Sequence, residues 1–463
     1  MKTLKITETV LRDGQQSQIA TRMPIEDMIP ILDTMDQAGY YAAEVWGGAT
    51  FDACLRYLNE DPWERLRTIR SHFKHTKLSM LLRGQNILGY HHFPDDIVER
   101  FVAKSIENGI DIIRIFDALN DVRNLTTAVN ATKKAGGHAQ IAIAYTTSPV
   151  HTIEYYVDLV KRMEILGADS IAVKDMAGVL TPQTVYSLVS EIKKISDLPI
   201  NVHTHATSGN AEMVYLKAVE AGADIIDTAI SSFSGGTSQP ATESLNYSLN
   251  ELGYETGVDQ ELLVDIANHF NQVRDKFRAE GLLNPKVKDT EPKTLLYQVP
   301  GGMLSNLLSQ LEEQGNADLY EEVLAEVPKV RKELGYPPLV TPLSQMVGTQ
   351  ALMNIVSGER YKLVPKEIRD YVKGLYGQPP ASIDEDVQAL ILKDDTDIYT
   401  GRPADLLSPG YEEAESKISE FAHSEEDILS YALYPEQAYN FLGRREDPFF
   451  DVPIQTVNVH IDV

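Results

Sequence analysis

His203 and His205 stand two residues apart at the end of the apolar run Pro199–His205. On a strand, alternate side chains share a face, so both imidazoles can grip one ion. Asp13 closes another apolar run near the N-terminus and supplies a carboxylate. Two imidazoles and a carboxylate suit a divalent cation, with Zn²⁺ preferred and Mn²⁺ or Co²⁺ as alternatives. The competing reading is a histidine pair satisfied by hydrogen bonds alone. Lys174, between Val173 and Asp175, also has two readings. Its ammonium could simply balance Asp175 or Asp13. Alternatively, burial lowers a lysine's pKa, and the neutral amine can add CO₂ to become a carbamate, an anionic oxygen ligand. The residues by themselves leave these two readings open. Arg83 follows Met80-Leu81-Leu82. A guanidinium there can hold a carboxylate in two parallel hydrogen bonds, which points to a small organic acid, with an ion pair to Asp13 or Glu44 as the alternative. Arg12, next to Asp13, is a second candidate for contact with substrate.

These residues share one property, which is that each closes an apolar run. Eight such runs lie between residues 4 and 231: Leu4–Asp13, Tyr41–Gly47, Leu78–Gly84, Asp111–Asp117, Gln140–Tyr145, Ser170–Asp175, Pro199–His205 and Asp224–Ser231. Their ends fall about 26 to 37 residues apart, which is one strand, loop and helix per repeat. Helical periodicity fills the gaps, as in Asp95–Asn108, Thr152–Leu166 and Thr181–Ile195. Runs such as Ile112-Ile113-Arg114-Ile115-Phe116 are apolar on both faces, as parallel strands covered by helices should be. Eight units predict a closed (β/α)8 TIM barrel. An open doubly wound sheet would want a glycine-rich loop after its first strand, where Arg12-Asp13-Gly14-Gln15-Gln16-Ser17 holds one glycine. A barrel of this type does its chemistry at the carboxyl ends of the strands. Arg12, Asp13, Glu44, Arg83, Asp117, Lys174, His203 and His205 are therefore expected around one mouth.

After Gly253 the strand signal gives way to helical patterns over Gln260–Glu280, Gly302–Gln314, Asp318–Leu334, Thr341–Ser357 and Pro365–Leu375. The expected division is a barrel domain over residues 1–300 and a mainly helical domain over 301–463. The terminal run Pro453–Val463 has strand alternation and is expected to dock on another element or subunit. Thr341, followed by Pro342, reads as a helix N-cap. A formal net charge of −26 excludes a phosphate-backbone partner and disfavours a membrane surface. No segment approaches the ~20 apolar residues of a membrane span, and the N-terminus lacks a signal-peptide layout, so a cytoplasmic location is expected. The single cysteine, Cys54, lies among apolar residues and reads as a buried structural thiol.

Five stretches carry a family likeness: Thr9–Ser17, Glu44–Asp52, Met80–Asn86, Val173–Gly178 and Val299–Gly302. In matching order, from about residue 4 to about residue 450, the chain resembles the biotin-dependent carboxyltransferases. That family includes the carboxyltransferase domain or separate subunit of pyruvate carboxylase, the oxaloacetate decarboxylase alpha subunit and the transcarboxylase 5S subunit. Leu88–His92, Asp117–Asn124, Ala144–His151 and Arg402–Leu406 bring it nearest to the oxaloacetate decarboxylase type. The resemblance implies that Asp13, His203, His205 and an N-carboxylated Lys174 hold the metal. It implies that Gln16 and Arg83 position the keto acid, oxaloacetate or pyruvate. Thr341 would relay a proton between the substrate methyl group and the biotin ring nitrogen, and Ser344 would support the biotin end. Many relatives have Ala-His where this chain has Gly14-Gln15, and the resulting Arg-Asp-Gly-x-Gln resembles condensing acyl-CoA lyases of the same barrel type. No Met-Lys-Met biotin-attachment motif occurs, so biotin is expected on a separate carrier protein. A homodimer and a membrane sodium-pump subunit are the other partners the resemblance implies.

Overall fold

The computed structural model describes residues 2–297, 311, 317–393, 395, 397–447 and 450. Eight parallel strands close into a barrel: β1 (Lys5–Glu8), β2 (Ala42–Trp46), β3 (Lys77–Leu82), β4 (Ile112–Phe116), β5 (His138–Ala144), β6 (Ser170–Asp175), β7 (Ile200–Thr204) and β8 (Ile225–Thr228). Closure is direct, because β1 pairs with β8 in the register Lys5↔Ile225 to Glu8↔Thr228. That rules out the open sheet. Helices follow the strands as expected, among them Asp95–Glu107, Ile153–Leu166, Pro182–Lys193 and Ala211–Ala221. Thr152 and Thr181 cap two of them, accepting from the N–H groups of Tyr155 and Thr184. Val45, Met80, Ile113, Ile141, Val173 and Val202 are fully buried, as strands sandwiched between a filled interior and a helical ring require.

Among the described residues, the helices from Tyr320 onward fall into two groups. Tyr320–Glu333, Leu343–Val356, Lys366–Val372 and Glu385–Leu392 form one group with its own core, including Val323, Val327, Val347 and Tyr371. It sits on the mouth. Val340 packs with Phe116, Ala142, Ala144 and Ala172 at the strand ends, and Arg331 donates to Thr146 Oγ1 and Thr147 O in the loop after β5. Tyr411–Ile418, Glu425–Leu433 and Pro435–Glu446 form the other group, and it lies against the barrel flank. Trp63 Nε1 donates to Ser430 Oγ across that contact at 3.0 Å.

The expected turn Val299–Gly302, the helix Gly302–Gln314 save Leu311, the boundary at 300/301 and the run Pro453–Val463 lie outside the described residues. Among the described residues no helix is long and apolar enough to cross a membrane.

Candidate active site at the barrel mouth

β1 ends at Glu8, five residues before the end of the apolar run. The reason is local. The buried Glu8 carboxylate accepts from the N–H groups of Thr9, Val10 and Ile230 at 3.1, 3.0 and 2.9 Å; Thr9 N also reaches Thr228 O, while Val10 N and Ile230 N turn to Glu8 instead of a ladder partner. The chain then coils over Val10–Gly14, with the N–H groups of Arg12 and Gly14 both donating to Thr9 O. This turn, rather than the expected strand, carries Arg12 and Asp13 into the mouth.

Asp13 Oδ2 lies 3.2 Å from His203 Nε2 and 3.3 Å from His205 Nε2. His205 Nδ1 is 2.5 Å from the carbonyl of Thr237, and His203 Nδ1 is 2.9 Å from Asp227 Oδ2. A carbonyl can only accept, so the His205 proton sits on Nδ1 and its Nε2 keeps a lone pair, and Asp227 imposes the same tautomer on His203. His203 Nε2 is buried and makes no hydrogen bond despite its closeness to Asp13. A pair held by hydrogen bonds alone would leave that nitrogen unsatisfied at a cost of about 1–3 kcal/mol. Two lone pairs and a carboxylate oxygen, all within 4.8 Å of one another, fit a divalent cation.

The support behind this cluster is dense. Gln239 Nε2 donates to Asp13 Oδ2 at 2.9 Å, and its Oε1 accepts from Thr9 Oγ1 at 2.8 Å. Burial opposes the charge on Asp13, but the Arg12 guanidinium beside it holds its carboxyl well below the usual range. Asp227 likewise stays ionised against burial, because Arg114 donates to it and His203 faces it. Arg114 in turn donates to Gln140 Oε1 at 2.6 Å, and Asn201 Nδ2 donates to Asp227 Oδ1 at 2.8 Å.

Lys174 on β6 is in register with His203 on β7. It is buried, and among the described residues its Nζ makes no hydrogen bond or ion pair. Its nearest ring is Phe116, 5.5 Å away. The proposed balance with Asp175 does not form, since that carboxylate accepts from Val179 N, Leu180 N and Thr204 Oγ1. Burial pulls the Lys174 amine down to about 8.

Arg12 is committed within the protein. Its Nη2 pairs with Glu44 at 2.9 Å and Asp13 at 3.1 Å, and its Nη1 donates to Gln16 Oε1 at 3.0 Å. Arg83 makes neither of the ion pairs weighed for it. Its Nη1 donates to Leu88 O at 2.6 Å and Gly89 O at 3.2 Å. Arg83 and Thr341 line one cleft together with Asn86, His92, Asp117 and Tyr376. Phe116 lines it too, which ties the cleft to Lys174. The N-cap reading of Thr341 is overturned. The helix starts at Leu343 with no side-chain cap, so the Thr341 hydroxyl is not spent on backbone amides and, among the described residues, meets only Gln345 Nε2 at 3.4 Å. Ser344 is buried in the first turn of that helix, donating to Gln345 Oε1 at 3.0 Å.

Residues 3–270 match the HMGL-like family, and residues 294–460 match a family described as a conserved carboxylase domain. A pyruvate carboxylase subunit of Methanocaldococcus jannaschii is 57% identical over 441 residues, covering 95% of this chain and 77% of that protein. The chain belongs to the biotin-dependent carboxyltransferases. The methylmalonyl-CoA carboxyltransferase 5S subunit of Propionibacterium freudenreichii is 49% identical, over 96% of this chain and 88% of that one. A solved structure of the carboxyl transferase domain of Rhizobium etli pyruvate carboxylase with pyruvate and biocytin superposes with a TM-score of 0.89 at 34% identity, covering 98% of this chain and 80% of that domain's chain.

In this carboxyltransferase the sequence reading passed over Asp227, Arg114 and Gln239. The first two had a signal, as charged residues inside Ile225-Ile226-Asp227-Thr228 and Ile112–Phe116, since a buried charge needs a partner. Gln239 had none, because it sits in a loop of small polar residues. Cys54 is buried with its thiol pushed up to about 12 by burial, the inert state expected of it.

Proposed function

We propose that this chain is the carboxyltransferase subunit of a pyruvate carboxylase, moving a carboxyl group from biotin on a separate carrier protein to pyruvate and yielding oxaloacetate. The observation that carries the reading is the convergence of Asp13, His203 and His205, tautomers already set, beside a buried Lys174 that has no hydrogen bond or ion pair among the described residues. The direction rests on similarity. The sequence motifs put decarboxylation of oxaloacetate first, but 57% and 51% identity to pyruvate carboxylase subunits from two organisms favours the forward transfer. The same site run in reverse would serve a decarboxylase or a transcarboxylase.

Asp13, His203, His205 and a carbamylated Lys174 would hold the cation, with Zn²⁺ suited to two imidazoles and oxygen ligands. When bound, it supplies Lewis-acid polarisation of a keto oxygen and stabilises the negative charge that builds there on loss of a methyl proton. Arg83 holds the substrate carboxylate through Nε and Nη2, which make no hydrogen bond within the described chain. Arg12 fixes Gln16 by a hydrogen bond to Oε1, leaving the Gln16 amide N–H free for the keto acid. Thr341 takes the proton from the methyl carbon while passing its own hydroxyl proton to the biotin ring nitrogen that has given up the carboxyl group. Ser344 supports biotin from the first turn of the helix that follows Thr341.

The decisive assay mixes the purified chain with a carboxylated biotin carrier and pyruvate. Oxaloacetate should form, avidin should block it, and acyl-CoA should be unnecessary. Turnover of acyl-CoA that is indifferent to avidin would replace this reading with the condensing-lyase one. Bound metal measured in Lys174→Ala should fall, and unchanged metal content would remove the carbamate.

A further inference from the structure

Tyr434 joins the helices Glu425–Leu433 and Pro435–Glu446 on the barrel flank, far along the chain from every residue assigned to the site. Its ring stacks on Phe51 at 5.8 Å, and its hydroxyl lies 3.1 Å from Leu88 O and 3.1 Å from Gly48 O. Leu88 O is the same carbonyl that receives Arg83 Nη1 at 2.6 Å. A phenol has one proton, so it is shared between the two carbonyls, which clamps the loop after β3 to the loop after β2.

The clamp has work to do. Ile87, next to Leu88, has φ +50°, a region that a β-branched residue avoids, so neighbouring contacts must hold the loop in shape. Gly48 shows how close the fit is. A Cβ there would sit 2.7 Å from Leu88 O and 3.1 Å from Arg83 Nη1. Leu88 O is therefore bounded by the Tyr434 hydroxyl and by Gly48, and it anchors one nitrogen of Arg83, a residue that lines the cleft.

We propose that Tyr434 is a positioning residue for the keto acid, fixing the Leu88 carbonyl and through it the direction of the Arg83 guanidinium. The flank helices thereby belong to the substrate-binding apparatus. This rests on the reading of Arg83 as the carboxylate ligand.

The test is a double-mutant cycle on the full chain with its biotin carrier. Tyr434→Phe keeps the stacked ring and removes only the hydroxyl. An interaction made equally in ground and transition states moves KM and spares kcat. KM for pyruvate should rise about three- to tenfold, the size of one hydrogen bond, with kcat and metal content unchanged. Gly48→Ala displaces the same carbonyl from the other side and should raise KM likewise, so the outcome does not hang on one variant folding well. Arg83→Lys should raise KM by itself, and adding Tyr434→Phe to it should change nothing further. Multiplying effects in the double variant, a loss confined to kcat, or an unchanged KM in both Tyr434→Phe and Gly48→Ala overturns the positioning role. An unchanged KM in Arg83→Lys overturns the reading of Arg83 itself, and the inference with it.

Discussion

The two walls of the mouth are built on opposite principles. On the barrel wall Asp13, His203 and His205 are each held by neighbours that are themselves held. Gln239 and Arg12 hold Asp13, Asp227 and Thr237 set the two tautomers, and Arg114, Gln140 and Asn201 hold Asp227. On the helical wall Thr341 meets a single long contact from Gln345, and its helix reaches the mouth through Val340 and Arg331. Groups that stabilise developing charge work best when they cannot reorganise. A hydroxyl that must accept one proton and give up another needs its lone pairs and its proton unspent. The contrast separates an electrostatic wall from a proton-handling wall, and each can be broken without the other.

The largest effect is expected on the barrel wall. Asp13→Asn removes a ligand charge and the acceptor shared by Arg12 and Gln239. Metal content should collapse, and carboxyl transfer should fall by at least about a thousandfold. Retention of stoichiometric metal would mean that the cluster is a structural network and that the contrast between walls is false. Thr341→Ala should lower transfer by about a hundred- to ten-thousandfold, the range of a lost proton relay, while metal stays bound. Thr341→Ser, which keeps the hydroxyl, should recover most of that loss. Near-wild-type transfer in Thr341→Ala would take the proton out of the helical wall.

The same contrast explains what was legible in the sequence. Strand order, closure after eight units and the ring of polar residues at the strand ends follow from apolar runs of fixed spacing, because each run must be buried on both faces. His203 and His205 were legible because their spacing matches the period of a strand. Arg12 and Asp13 were placed at the right mouth by the wrong element, since nothing in Leu4–Asp13 announces that Glu8 will take three backbone donors and start a turn. Thr341 was misread for a related reason. Thr-Pro before a helix has the composition of a cap, and only docking through Val340 decides that the helix starts later and the hydroxyl is spared. Long-range support such as Gln239 to Asp13, or Tyr434 to Leu88, leaves no local periodicity to read.

The smallest expected effect probes the foundation of the barrel wall and should leave chemistry alone. Glu8 sits beneath the Asp13 turn, with Oε1 accepting from three backbone N–H groups and Oε2 hydrogen-bonded to Thr242 Oγ1 at 2.7 Å, and burial raises its carboxyl from 4.5 to about 7. The folded chain therefore keeps this proton up to pH 7, whereas the unfolded chain releases it near 4.5. Its contribution to stability is complete below pH 4.5 and is lost as pH rises to 7. For a shift of this size the loss is about 3 kcal/mol. Glu8→Gln mimics the protonated form, since its carbonyl can take the same amides while its NH₂ donates to Thr242, whose own proton turns to Thr228 Oγ1 2.7 Å away. Other groups titrate over this range, so the quantity to measure is the difference in unfolding free energy between variant and wild type. It should grow in favour of Glu8→Gln by about 3 kcal/mol between pH 5 and pH 8, with metal content unchanged. A difference that stays flat would mean that Glu8 is ionised in the fold, and that a buried charge rather than a neutral acid holds the turn that delivers Asp13.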